Sequence, residues 1–168
     1  MKVCVCPAVV FSALLAFGAT SSILDMSPPI NRLSLADLWD SFEEVHKGHR
    51  HKAIDILEPR GIPVHAVVSG SIRKLFLSKP GGTTVYEFDE TGVYCYYAHL
   101  DRYVEGLREG VRVERGDVIG FVGSTGNADV RTPHLHFAIF ELEPQRQWWK
   151  GKAVNPYPGL VDAVKRVQ

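Results

Sequence analysis

The chain has little cysteine: three residues in 168, at positions 4, 6 and 95. Two of them fall in one apolar stretch near the start, which excludes a disulfide framework and a cysteine zinc knuckle. Cys95, inside Val93-Tyr94-Cys95-Tyr96-Tyr97, has no partner left and reads as a small buried hydrophobe. An excess of charge is missing as well. Nineteen Lys and Arg balance nineteen Asp and Glu, so no bulk field draws the chain towards nucleic acid or anionic lipid. Any partner must be recognised by a local site. Internal repeats and low-complexity tracts are absent, so neither a repeat array nor a biased segment organises the chain. Long apolar runs are scarce too: the run of note extends from Val3 to about Ala19, broken by Pro7 and Ser12. It follows Lys2 and ends in the small residues 18–22. That pattern predicts a secretory signal peptide over residues 1–18, with Ala19 as first mature residue and export as the consequence. An uncleaved anchor is the alternative, at the short edge of the roughly 17–25 residues that span a bilayer. No cysteine follows the run where a lipid anchor needs one.

What is present is ordinary globular composition, 45% hydrophobic and 23% charged, in a length that suits one domain. Fifteen glycines and ten prolines spread along the chain imply many turns and hence a β-rich fold. Residues 19–41 read as a linker followed by a short amphipathic helix. Ser34 is its N-cap, and Leu35, Leu38, Trp39 and Phe42 recur at helical spacing to about Val45. His46 to Arg50 then break the pattern. From His51 onwards short strands alternate with turns: 51–56, 63–69, 71–77, 83–88, 93–99, 111–113 and 117–122, with one helical turn expected within 101–109. Asp89-Glu90-Thr91-Gly92 joins two of these strands as a hairpin. Ser124 to Ala128 form a small polar loop, and residues 158–168 are a short tail. The fold class expected is mainly β, with a short N-terminal helix.

Thr132-Pro133-His134-Leu135-His136-Phe137-Ala138-Ile139-Phe140 reads as a buried strand. Side chains two apart share a face, so His134 and His136 point the same way. His51 and Asp55, four apart, share a face of either a strand or a helix. His99 closes an apolar strand, at the kind of loop-facing end where catalytic groups gather. Together these five residues offer His51, Asp55 and one of His134 or His136 as metal ligands. Three protein ligands and an open position define a catalytic zinc site. The two remaining histidines are then free to accept or donate protons, beside a water whose pKa zinc brings to about 7. His65 reads as an ordinary sheet residue, and Trp148-Trp149 as packing of the tail against the sheet, with stacking on sugar or peptide as the alternative.

The chain resembles the lysostaphin-like (LytM-type) zinc metalloendopeptidases that cut peptides of bacterial peptidoglycan. The resemblance runs from about Phe42 to Pro156. It is carried by HKAIDI, GIPVHAVVSGSI, YYAHLD, EGVRVERGDVIGFVGSTGNADVRTPHLHF and NPYP, in that order. It implies a zinc metallopeptidase domain over 42–157, with an antiparallel β-sheet or sandwich core and a groove over the metal. It also implies His51, Asp55 and His136 as ligands of one Zn2+, His99 and His134 as catalytic histidines, and peptidoglycan peptides as substrate. The place of action would be the periplasm, cell envelope or exterior, with no nucleic acid and, once the signal is cleaved, no membrane span. Ala53 and Ala138 stand where the family commonly has Gly and often has Glu. Some relatives are catalytically silent activators of other wall hydrolases, which makes a silent binding domain the rival reading. A zinc peptidase acting on protein is a third.

Overall fold

The computed structural model describes residues 25–46, 48–143 and 147–168. The predicted signal peptide or anchor, residues 1–18, lies outside the described residues. Strand β1 (Val45–His46) pairs with β2 (His49–Arg50) as a small hairpin. Next come β3 (Ile54–Leu57), β4 (Pro63–His65), β5 (Gly70–Ser78), β6 (Gly82–Phe88) and β7 (Val93–Leu100). The remaining strands are β8 (Arg102–Tyr103), β9 (Arg112–Val113), β10 (Val118–Phe121), β11 (His134–Leu142) and β12 (Gly151–Val154), followed by α1 (Tyr157–Val167).

Among the described residues the large sheet runs β12-β11-β7-β6-β5-β9, every pair antiparallel. The edge of β11 away from β7 is shared end to end. Its first half pairs with β3 and its second half with β12. A second sheet, β4-β10-β8, packs its apolar residues into the same core. The predicted hairpin at 89–92 forms as its chemistry requires. The Asp89 carboxylate accepts the backbone N–H groups of Thr91, Gly92 and Val93 at 2.8–2.9 Å.

Alternation decides which face of the large sheet is dry. On β7, Val93, Cys95 and Tyr97 join the core, while Tyr96 and Ala98 line a groove on the other face. On β11 the core receives Leu135, Phe137 and Ile139, all at most 1% exposed. That leaves His134 and His136 on the groove side.

The predicted N-terminal helix does not form. Only a 3-10 turn, Leu35–Asp37, occupies the segment, and Leu38 is already extended. Ser34 does cap the turn, the Asp37 carboxylate taking its N–H at 2.9 Å as in a capping box. The turn does not propagate, because the Asp40 carboxylate takes the N–H of Phe42 at 3.2 Å and the Asn155 amide at 3.0 Å. Met26, Ile30, Leu33, Leu38 and Phe42 are buried all the same, without a helix to carry them. The helix of this fold is C-terminal instead. In α1 Leu160, Ala163 and Val164 are buried on one face, and Lys165 and Arg166 sit in the last turn, where cations are favoured. The helical turn expected within 101–109 is replaced by β8 and an isolated turn at Leu107 N–H to Val104 O, 3.2 Å. No helix among the described residues is long and apolar enough to cross a membrane.

Candidate metal centre

Asp55 on β3 and His136 on β11 are direct cross-strand partners. His51 arrives differently. The strand predicted to begin at His51 starts at Ile54, and Lys52 takes φ 58°. Even spacing therefore does not place His51. It is set by its own N–H to Glu44 O at 2.9 Å and by Lys52 N–H to Phe42 O at 2.8 Å. The result is a tight cluster. His51 Nε2 lies 3.1 Å from Asp55 Oδ1 and 3.1 Å from His136 Nδ1, and His136 Nδ1 lies 3.0 Å from Asp55 Oδ1.

Backbone carbonyls fix the tautomers of three histidines, because a carbonyl can only accept. His51 Nδ1–H donates to Ser41 O at 3.2 Å, His99 Nδ1–H to Thr125 O at 2.8 Å and His134 Nδ1–H to Thr132 O at 2.9 Å. Each therefore carries its lone pair on Nε2. His134 Nε2 lies 4.0 Å from Asp55 Oδ1. The His99 ring centroid is 4.9 Å from that of His134 and 5.6 Å from that of His136. All five predicted residues line one groove of about 410 Å³.

Charge in the groove is settled by burial against pairing. Burial alone would raise the Asp55 carboxyl, but hydrogen bonds and charge from His136 and His51 outweigh it and hold the group well below the ordinary range. Burial also lowers His99, to about 4, against the pull of the Thr125 carbonyl. It lowers His136 as well. His51 is opposed by burial and raised on balance by Asp55. An ionised Asp55 beside His99 and His136 pushed towards their neutral forms suits metal binding, which requires deprotonated ligands.

Sequence reasoning missed the groove walls. They are Pro80-Gly81 and the neighbouring Asn127, Ala128 and Asp129. The two loops are locked together. Asn127 N–H reaches Pro80 O at 3.0 Å, and Thr125 Oγ1 accepts Thr83 N–H at 2.9 Å. Gly82, at φ 65°, lies so near this loop that a Cβ would meet Thr125 Oγ1 at 2.2 Å. The small-residue composition of 124–128 is the signal for that close approach. Tyr96 was missed too, since a tyrosine in an aromatic strand gives no hint of facing a groove.

The donor set suits zinc on the atoms present. Two imidazole nitrogens and a carboxylate oxygen are accepted zinc ligands, and bonds of roughly 2.0–2.2 Å to one ion leave ligands at about the spacing seen here.

A model of the family described as peptidase family M23 matches residues 49–156. Over 115 residues the chain is 32% identical to the L-Ala--D-Glu endopeptidase of Bacillus subtilis, covering 66% of this chain and 34% of that protein. Over 129 residues it is 33% identical to the peptidoglycan DD-endopeptidase ShyC of Vibrio cholerae, covering 70% and 28% respectively. The chain thus spans about a third or less of the length of these curated relatives. Among solved structures, the catalytic domain of the antimicrobial peptidase lysostaphin from Staphylococcus simulans is similar at a TM-score of 0.57 and 31% identity, over 67% of this chain and 80% of that one.

Proposed function

The chain belongs to peptidase family M23, and from that premise we propose that it is a zinc-dependent endopeptidase hydrolysing peptide bonds of bacterial peptidoglycan. The observation that carries the reading is the convergence of His51 Nε2, Asp55 Oδ1 and His136 Nδ1 to within 3.1 Å of one another. The names of the relatives point to wall peptides as the substrate class. In this reading residues 42–157 form the peptidase domain, and the exported chain acts in the periplasm, envelope or exterior after residues 1–18 have directed it there.

His51, Asp55 and His136 would hold the ion. Zinc bound there supplies Lewis acidity and a lowered pKa, about 7, for a coordinated water. The chain's own residues do the rest. Asp55 contributes the negative charge, and the Ser41 carbonyl keeps the His51 lone pair turned inward. His99 presents a lone pair on Nε2 and is neutral at physiological pH, so it can accept a proton from the attacking water. His134 presents Nε2 on the same side and, once that nitrogen has taken up the proton released by the attacking water, can pass it to the leaving amine. The loops at Pro80-Gly81 and Asn127–Asp129 are placed to align an extended peptide across these groups.

The test is release of soluble peptides from purified peptidoglycan by residues 19–168, followed by mass spectrometry. Wild type is expected to cut, a chelator to stop it, added zinc to restore it, and His136→Ala to remain inactive. Zinc-bound, folded protein that releases nothing would overturn the reading and favour the silent domain. Cleavage of casein-like protein alone would move the substrate from wall to protein.

A further inference from the structure

The groove opens onto a sheet face that stays aromatic well beyond it. From His136 the rings run without a gap. Tyr96 stands 6.0 Å from His136 between centroids, Tyr86 4.8 Å from Tyr96, Trp148 5.1 Å from Tyr86, and Trp149 5.5 Å from Trp148. Phe76 flanks Trp148 at 5.8 Å. Exposure rises along the row: Tyr96 and Tyr86 are half-buried, while Phe76 is 41% and Trp149 58% exposed. Exposed aromatic surface continuous with a binding groove is surface that a ligand of matching chemistry can cover.

The backbone beneath the row says which chemistry matches. β6 is paired to β5 on one side and to β7 on the other, and β7 is paired onward to β11. Those N–H and C=O groups are already bonded, so an extended peptide finds no strand edge to join beneath Tyr86 and Tyr96. A ligand on this face must bind by ring stacking and side-chain hydrogen bonds. A pyranose does both: its C–H face lies on a ring while its hydroxyl and amide groups stay at the margin. Among the described residues the hydroxyls of the half-buried Tyr86 and Tyr96 make no hydrogen bond, which leaves donors beside the row. A nucleic-acid base would also stack, but a chain of balanced charge lacks the field that holds a phosphate backbone.

We propose that the aromatic row from Tyr96 to Trp149 is a saccharide subsite that seats N-acetylhexosamine units of the glycan bearing the peptide in the groove. This rests on the reading of the groove as a peptidoglycan peptidase site. The glycan adds affinity through a surface separate from the metal, which makes attached substrate bind more tightly than free peptide.

The test is calorimetric titration of residues 19–168 with a β-1,4-linked tetramer of N-acetylglucosamine. Wild type is expected to bind, Trp149→Ala to weaken binding at least tenfold, and Trp149→Phe, which keeps a ring, to recover most of it. Leu77→Ser changes a residue 75% exposed and adjacent to Phe76 on β5, hence on the opposite face, and is expected to leave binding unchanged. No heat with wild type, or equal affinity in Trp149→Ala, overturns the proposal. The titration involves no cleavage, so the two readings fail separately. Binding without hydrolysis of peptidoglycan sinks the peptidase alone; hydrolysis without tetramer binding sinks the subsite alone.

Discussion

At His99 the backbone takes φ 60° near the end of an otherwise regular strand. For a residue with a Cβ that conformation costs about 1–2 kcal/mol. Two bonds hold it: His99 N–H to Gly81 O and His99 Nδ1–H to Thr125 O, both 2.8 Å. The consequence is directional. Regular alternation would turn His99 to the core side beside Tyr97, yet it lines the groove next to Ala98. Strain at this position therefore aims an imidazole at the groove, the pattern found where structure over-determines a functional residue. The expected outcome for His99→Ala is a kcat on peptidoglycan peptides lower by about 10²–10⁴-fold. Zinc content, measured by atomic spectroscopy, stays at one per chain. Loss of zinc together with activity would make His99 part of the binding set instead. The departures Ala53 and Ala138 are both buried, at 0% and 1% exposure, and Ala138 faces Tyr96 across the β11–β7 pair.

At the level of elements, β6 and β7 tie the large sheet to the core beneath it through one polar chain. The N–H of Val67 donates to Tyr97 Oη at 3.0 Å, and Tyr97 Oη–H donates to Glu87 Oε2 at 2.5 Å. Glu87 is fully buried, and among the described residues its Oε1 has no partner. Burial pushes its carboxyl up to about 8, with the Tyr97 bond pulling only partly back. The folded state therefore keeps a proton that the unfolded chain releases near 4.5. Between these values the unfolded state binds fewer protons, so this group makes stability fall as pH rises from about 4.5 to about 8, by of order 1 kcal/mol per pH unit. Glu87→Gln is expected to flatten that decline in urea-unfolding midpoints measured from pH 5 to pH 8. An unchanged pH slope would show that Glu87 is not the group responsible.

Over the whole molecule, the candidate metal site joins parts of the chain that are distant in sequence. His51 and Asp55 lie over 80 residues before His136, on separate segments brought together by the β3–β11 pair. An ion binding all three stabilises the folded chain, because the unfolded chain offers no such cluster. At a free zinc concentration about 1,000 times Kd the gain is about 4 kcal/mol, which corresponds to roughly 10 °C in Tm for a domain of this size. Calorimetric scans with and without zinc check this. Wild type is expected to shift and His136→Ala to stay at its metal-free Tm. Equal shifts in both would place the ion elsewhere.

The sequence by itself determined most of the central strands and the residue types that meet at the candidate metal site. Alternation in 132–140 paired His134 with His136 on one face, and turn residues at 89–92 set a hairpin, because both depend on neighbours in the chain. The order of motifs carried the family resemblance for the same reason. Only the tertiary structure decided how those parts meet. His51 is placed by contacts with Phe42 and Glu44 instead of strand periodicity, and His99 is turned by a left-handed backbone. The choice between helix and irregular chain at 35–45 was likewise tertiary: Asp40, bonded to both Phe42 and Asn155, is more use as a cross-chain acceptor than inside a helix. Local propensity amounts to tenths of a kcal/mol per residue. Burial of side chains such as Leu38 and Phe42 is worth roughly 1.5–3 kcal/mol each, so where the two compete the long-range packing prevails.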